Sequence, residues 1–253
     1  MARTLALDAA AWASPWRVRS VRDKAVLSGG LLVLSIALPP WPGAAACGLA
    51  VLVLLLGPAR VGWRQLGRIM ILPLLSIAIG VATVAVSISW DAGLRVALPV
   101  EGLLMARDLA LRATAAVLAM FLLATTTPMI DIFQALRRAR VPAPLVEIAS
   151  LIYRFTFGLL DATVAIHEAQ SARLGYATRR AGMRSAAMAV TAVFVRALTR
   201  AQRLEAGLAG RGFEDSLVTL DPGRVRSTRF LLASVALLVG LAVIGVVVPG
   251  GGS

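Results

Sequence analysis

The sequence predicts an all-α, polytopic membrane protein with about five transmembrane helices and a cytoplasmic helical domain inserted before the last span. Three observations carry that reading. The 253 residues are 58% hydrophobic and 15% charged, with mean hydropathy +0.82, whereas a soluble surface draws on roughly a quarter charged residues. Four apolar stretches precede residue 128 and one follows residue 228. Basic residues alternate between dense and sparse loops, as the positive-inside rule requires of a chain threaded through a bilayer.

The opening MARTLALDAAAWASPWRVRSVRDK carries charges on both sides of short apolar groups and no small-residue cleavage site, so no cleaved signal peptide is expected. Ala25–Leu38 and Ala44–Gly57 follow, separated by PPWPG, a turn with an interfacial tryptophan, Trp41. Each is short against the roughly twenty residues that cross a typical bilayer core. The pair either borrows flanking residues or forms a shallow hairpin. In Ile69–Ile88, with Pro73 near one end, the small residues Ser76, Ala78, Gly80, Ala82, Thr83, Ala85 and Ser87 predict close approach of another helix. The fourth span lies within Leu103–Thr127, where Arg107, Asp108 and Arg112 confine the apolar part to Ala113–Ala124. The fifth is Phe230–Val248.

The basic residues orient these spans. Arg3, Arg17, Arg19, Arg22 and Lys24 precede the first, none lies in the next loop, Arg60, Arg64 and Arg68 fill the third, and only Arg95 lies in the fourth. Fifteen more fall in residues 128–229. The N-terminus and this long segment are therefore predicted to be cytoplasmic and the C-terminus to lie outside. The chain divides into 1–127, 128–227 and 228–253. Leu145–Ile166 is apolar enough to suggest a span, but Glu147, Arg154 and Asp161 would each cost about 2.5–3.5 kcal/mol at a bilayer centre. Three cytoplasmic or interfacial helices are predicted instead: Met129–Val141, started by TTTP and ended by Pro142 and Pro144; about Leu145 to Gly175; and about Ser185 to Gly212.

The two longer helices close on one pattern. EAQSARLGY (Glu168–Tyr176) and EAGLAGRGF (Glu205–Phe213) both fit E-A-x-x-A-x-x-G-aromatic, with Arg173 or Arg211 shortly before the glycine. Taken singly, each is explained by a glycine cap in the left-handed conformation and an arginine set against the helix dipole. The recurrence, and an aromatic past each cap (Tyr176 and Phe213), fit a second reading. Two rigid helix ends would present arginine forks to acidic grooves on a partner, with Ala172, Gly175, Gly210 and Gly212 keeping the tips slim and the aromatics flanking the dock.

With these motifs the chain resembles the transmembrane (T) component of energy-coupling factor (ECF) transporters. Its opening SPWRVRSVRDKAVLSG and the PPWPG turn resemble the cobalt-type, CbiQ-like branch. Leu174 stands where the family's short motif has glycine, and Gly210 where alanine is expected. The resemblance implies that residues 128–227 form a coupling domain whose Arg173 and Arg211 dock into two ATPase subunits. It also implies a separate substrate-binding membrane subunit, with a small accessory membrane subunit, in a prokaryotic inner membrane. ATP and Mg would bind in the partner ATPases and no cofactor in this chain. Cobalt, rather than nickel or a vitamin, rests on the resemblance alone.

Other functions find little support in the residues. One cysteine, Cys47, and one histidine, His167, build no metal or disulfide arrangement. The single lysine, Lys24, follows aspartate rather than the glycine of a phosphate-binding loop, so the chain is not expected to be its own ATPase. The net charge of +13 is explained by cytoplasmic loops, without nucleic acid. Asp131, Glu147, Asp161 and Glu168 are read as partners of nearby arginines rather than catalytic carboxylates. His167 is read as a packed or surface residue, and Tyr153, Phe155 and Phe157 as a buried helix face. Arg107, Asp108 and Arg112 fit either a transport pathway or snorkelling to the interface. A self-contained carrier, the alternative class, has Pro73 as its only pointer.

Overall fold

A computed structural model describes residues 3–89, 95–97, 99–212 and 227–247. Its helices are α1 (Arg3–Ala13), α2 (Val21–Ala37), α3 (Ala45–Leu56), α4 (Trp63–Ala85), α5 (Val100–Thr126), α6 (Met129–Arg138), α7 (Ala143–Ala172), α8 (Arg179–Ala209) and α9 (Thr228–Val247). A 3₁₀ turn, Pro15–Val18, precedes α2, and a π turn, Pro40–Ala44, leads into α3. The expected third span stops at Ala85. Beyond it Ser87–Ser89 (β1) pairs antiparallel with Arg95–Ala97 (β2), a small ribbon in an otherwise helical fold.

The chain forms two compact units, Met1–Ile132 with Pro222–Ser253, and Phe133–Asp221. In the first, α5 is the hub against which α1, α2, α3 and α4 pack, and α9 lies against α2 and the Pro40–Ala44 turn. Its core is aliphatic, including Leu27, Leu31, Cys47, Val51, Leu55, Leu118, Leu122 and Leu241. Ala115 and Ala119, one turn apart on α5, are buried, and a Cβ added to Gly48 of α3 would stand 3.4 Å from the Ala115 methyl. Small residues therefore bring α3 against α5, and Gly102 of α5 comes as close to the end of α4, where a Cβ would lie 3.3 Å from the Val84 and Ala85 carbonyl oxygens. A Cβ on Gly80 of α4 would meet nothing within 4 Å, and the buried residues of α4 are Leu66, Ile69 and Met70 in its first turns.

Polar ties fix α2 against α5 at both ends. The Lys24 Nζ donates to the Thr126 carbonyl at 2.8 Å, and the Arg112 Nη2 donates to the Leu38 carbonyl at 3.3 Å. The second tie lies further along α2 and equally far back along α5, so the helices run antiparallel, with the ties about 21 Å apart at 1.5 Å per residue. Arg112 thus closes a helix end, while Arg107 pairs with its neighbour Asp108 at 2.9 Å on the surface. α2 begins four residues earlier than the first expected span and takes Asp23 and Lys24 inside the fold, 6% and 2% exposed.

In the second unit α7 and α8 form an antiparallel hairpin. The start of α7 explains one difference from expectation: Pro142 is its N-cap and Pro144 lies in its first turn, so these prolines open α7 rather than only ending α6. α8 begins at Arg179, six residues before the expected Ser185, because the Thr178 hydroxyl accepts from the Ala181 amide and caps it. Phe133, Tyr153 and Phe157 stack edge-to-face in series, at 5.8 and 4.8 Å between centroids. The Arg200 guanidinium lies 5.2 Å from the Phe155 centroid.

By length and composition α4, α5, α7, α8 and α9 could each cross a membrane, whereas α2 and the Pro40–Leu56 helix fall short. The expected five spans counted α2 and α3 and left out α7 and α8. The difference arises because length and mean hydropathy do not see where charges fall. Arg184, Arg196, Arg200 and Arg203 are distributed along α8, and Glu147, Arg154 and Asp161 along α7.

Candidate functional site: two arginine-bearing helix ends

The α7 end closes through a Schellman motif. The Gly175 amide donates to the Gln170 carbonyl at 2.8 Å and the Leu174 amide to the Ser171 carbonyl at 3.0 Å, the 6→1 and 5→2 pair of that closure. The left-handed residue is Leu174, at φ 57°, not Gly175 as the sequence suggested. Glycine is required at 175 for a different reason. A Cβ there would lie 2.7 Å from the Ser185 Oγ and 2.8 Å from the Gln170 carbonyl oxygen, closer than real contacts allow. Ala172 is the last helical residue, and Arg173 follows as an exposed C-cap. Among the described residues no hydrogen bond or ion pair engages the Arg173 guanidinium.

Side chains then lock this end to the start of α8. The Gln170 Nε2 donates to the Ser185 carbonyl at 2.9 Å, the Ser185 Oγ donates to the Gly175 carbonyl at 2.8 Å, and the Tyr176 hydroxyl donates to the Gln170 Oε1 at 2.7 Å. The Tyr176 ring also packs on the His167 imidazole, 4.7 Å between centroids. Tyr176 thus packs on its own helix and holds the tip rigid while remaining 37% exposed, the exposed aromatic that the sequence predicts. His167 is a packing partner.

The α8 end is looser. Ala209 ends the helix, Gly210 is a C-cap in ordinary helical geometry, and Gly212 takes the left-handed conformation at φ 67°. A Cβ on Gly210 would stand an unstrained 3.4 Å from the Ala206 carbonyl oxygen. Arg211 and Gly212 are exposed, and Phe213 lies outside the described residues.

Aligning the two stretches by sequence sets Arg173 against Gly210. Aligning them by backbone sets the left-handed Leu174 against the left-handed Gly212, and both arginines then occupy the preceding position. That equivalence was hidden in the sequence because leucine gives no left-handed signal. Two further helix ends, after α3 and α6, carry an arginine that is itself left-handed, Arg60 (φ 52°) and Arg140 (φ 64°). The α6 end was not singled out from sequence, and the Ala139-Arg140 step is the signal that could have found it. What separates Arg173 and Arg211 is their common backbone position and their places on the hairpin.

Those places follow from the helix pairing. Gln170 meets Ser185; Gly158 faces Arg200, whose Nη1 would lie 2.5 Å from a Cβ there; and Leu151 and Phe155 share a groove with Leu204 and Leu208. The Arg173 end therefore stands at the turn of the hairpin and the Arg211 end at the opposite end of the 31-residue α8. Their separation along the helix is about 45 Å at 1.5 Å per residue.

Leu174 offers a direct check of the closure. A left-handed leucine costs about 1–2 kcal/mol, and glycine in its place loses roughly 0.5–1 kcal/mol of chain entropy on ordering. Leu174→Gly is expected to stabilise the tip slightly and slow hydrogen exchange at the Gly175 amide. Faster exchange would contradict the assigned closure.

The fold and these ends define a class: an all-α, multi-pass membrane protein with a separate helical unit that presents two arginine-bearing tips. The chain belongs to the CbiQ cobalt transport protein family, which matches residues 13–220. It is 40% identical to the cobalt transport protein CbiQ of Rhodobacter capsulatus, covering 88% of each chain. It is 31% identical to CbiQ of Salmonella typhimurium over 78% of this chain and 92% of that one. A putative fused cobalt transport protein, CbiMQ, of Methanocorpusculum labreanum is 24% identical over 93% of this chain and 41% of its own length.

Proposed function

We propose that this chain is the transmembrane coupling subunit of an ATP-driven, ECF-type cobalt importer. The observation that carries this reading is the hairpin, which places Arg173 and Arg211 about 45 Å apart in the same backbone setting at opposite ends of one rigid element. Such a spacing suits two separate ATPase subunits, each receiving one tip in an acidic groove. Ala172, Gly175, Gly210 and Gly212 keep the tips slim. ATP and Mg bind in those partners, and their closure swings the hairpin as one body through its two tips.

In this reading α7 and α8 stay out of the hydrocarbon core with the rest of residues 128–227, on the cytoplasmic side of a prokaryotic inner membrane. Each charge held at a bilayer centre would cost about 2.5–3.5 kcal/mol, and Arg196, Arg200 and Arg203 lie well inside α8. The exposed apolar residues Met183, Val190, Phe194 and Leu198 recur at helical spacing on α8. They suit a membrane surface or the substrate-binding membrane subunit, with which a small accessory membrane subunit would associate. The fused relative, named CbiMQ, supports such a neighbour, since fusion keeps two products of one machine together.

The test is copurification and uptake. A tagged chain extracted in mild detergent is expected to bring down two ATPase subunits and a substrate-binding membrane subunit, and cells lacking it to lose ATP-dependent Co²⁺ uptake. Co²⁺ transport by the purified chain alone in liposomes would instead establish a self-contained carrier. Uptake of Ni²⁺ or a vitamin in place of Co²⁺ would reassign the substrate.

A further inference from the structure

The chain leaves the first unit after Ile132 and returns to it at Pro222. Both crossings are fastened, inside the first unit, to one short segment, Trp16–Lys24. On the outgoing side the Lys24 Nζ holds the carbonyl of Thr126, the last residue of α5, and Thr125, Thr126, Thr127 and Asp131 around it are all at most 2% exposed. On the returning side the Ser227 amide donates to the Asp23 Oδ2 at 3.5 Å, and Phe230 is gripped twice. The Arg19 guanidinium lies 4.4 Å from its ring centroid, and Trp16 meets the ring edge-on at 5.2 Å. The Ser28 hydroxyl donates to the Lys24 carbonyl at 2.9 Å, one turn further along α2.

A buried lysine at the C-terminal end of α5 has an ordinary explanation, as a cation satisfying the last carbonyls of a helix. That accounts for Lys24 and Thr126. It does not account for the returning segment converging on the same turn, through three different side chains, from the far end of the sequence. Whatever moves Phe133–Asp221 can act on the membrane helices covalently only through these two crossings, and both end on the first turn of α2 or the residues just before it. We infer that Trp16–Lys24 is a transmission clasp, with Lys24 and Asp23 as positioning residues through which movement of the hairpin unit is delivered to α2. The inference rests on the reading of that unit as the lever of the importer. The part of Lys24 is to make the crossings and α2 move as one body.

The test compares Lys24→Met, Lys24→Arg and Asp23→Asn in the complete transporter in liposomes, scored as Co²⁺ taken up per ATP hydrolysed. A structural role would lower both rates together and leave that ratio unchanged. For Lys24→Met the ratio is expected to fall about ten-fold, within the usual range of coupling between sites, with ATPase binding and hydrolysis retained. Lys24→Arg is expected to recover most of the ratio, and Asp23→Asn to lower it several-fold. An unchanged ratio in Lys24→Met overturns the clasp. If Lys24→Met does not accumulate in the membrane, an unchanged ratio in Asp23→Asn overturns it instead. Failure of the lever reading is seen separately, as an Arg173→Glu/Arg211→Glu variant that still binds ATPase, whatever the Lys24 variants do.

Discussion

Reversing the charge at both helix ends, Arg173→Glu with Arg211→Glu, is expected to strip the ATPase subunits from the purified chain and abolish uptake while leaving membrane insertion intact. Removing one partner of a buried, hydrogen-bonded charge pair costs about 2–5 kcal/mol, and reversal adds repulsion to that loss. Each site should therefore lose at least about thirty-fold in affinity, at 1.4 kcal/mol per factor of ten. The fold itself should not suffer, because Arg173 and Arg211 are exposed. The single variants are the informative controls. Each keeps one tip, so each should retain one ATPase subunit in place of two and lose most uptake, since a lever held at one end no longer follows the closure of the pair. Copurification stoichiometry, alongside the amount of chain in the membrane fraction, reads this directly. An ATPase still bound to the double variant would reduce both arginines to helix caps.

Substituting the glycines separates the two tips. Gly175→Ala would push a methyl to 2.8 Å from the Gln170 carbonyl oxygen and 2.7 Å from the Ser185 Oγ. Backbone cannot yield as a flexible side chain can, and overpacking of this kind costs about 1–3 kcal/mol. The 6→1 closure should open and Tyr176 should lose its seat on His167. Hydrogen exchange at the Leu174 and Gly175 amides is expected to rise by about five-fold or more, following the usual conversion of about 1.4 kcal/mol per decade, with ATPase occupancy lost at that tip alone. Gly210→Ala, a glycine-to-alanine change just before Arg211 at the other tip, should be nearly silent, because its Cβ finds 3.4 Å of room. Equal effects at the two glycines would contradict the tight packing around Gly175.

The contrast between those glycines shows where sequence reasoning reached its limit. E-A-x-x-A-x-x-G marks a helix end, and both ends are there, at Ala172 and Ala209. Which residue turns left-handed is decided by the closing hydrogen bonds, and at the first end they select Leu174 against its own preference. Gly175 is glycine because of Ser185 and Gln170, and Ser185 lies on the next helix, invisible to a local motif. The contacts of Tyr176 were hidden for the same reason: its partners His167 and Gln170 become neighbours only once the chain has doubled back.

The membrane helices divide in the same way. Composition and the alternation of arginines determined by themselves that this is a multi-pass helical membrane protein, because burial in lipid is a property of whole stretches and charge is read one residue at a time. The sequence alone also determined that two helices end on arginine-bearing tips. Only the tertiary structure decided which small residues meet, Ala115 of α5 against Gly48 of α3 and Gly102 of α5 against the end of α4. It alone took Asp23 and Lys24 inside the fold. The positive-inside rule sees a lysine beside a span as a solvated loop charge, whereas here a carbonyl 102 residues away in sequence replaces its water. Distance in the chain says nothing about which polar group will be at hand, and a buried charge needs such a group to be buried at all.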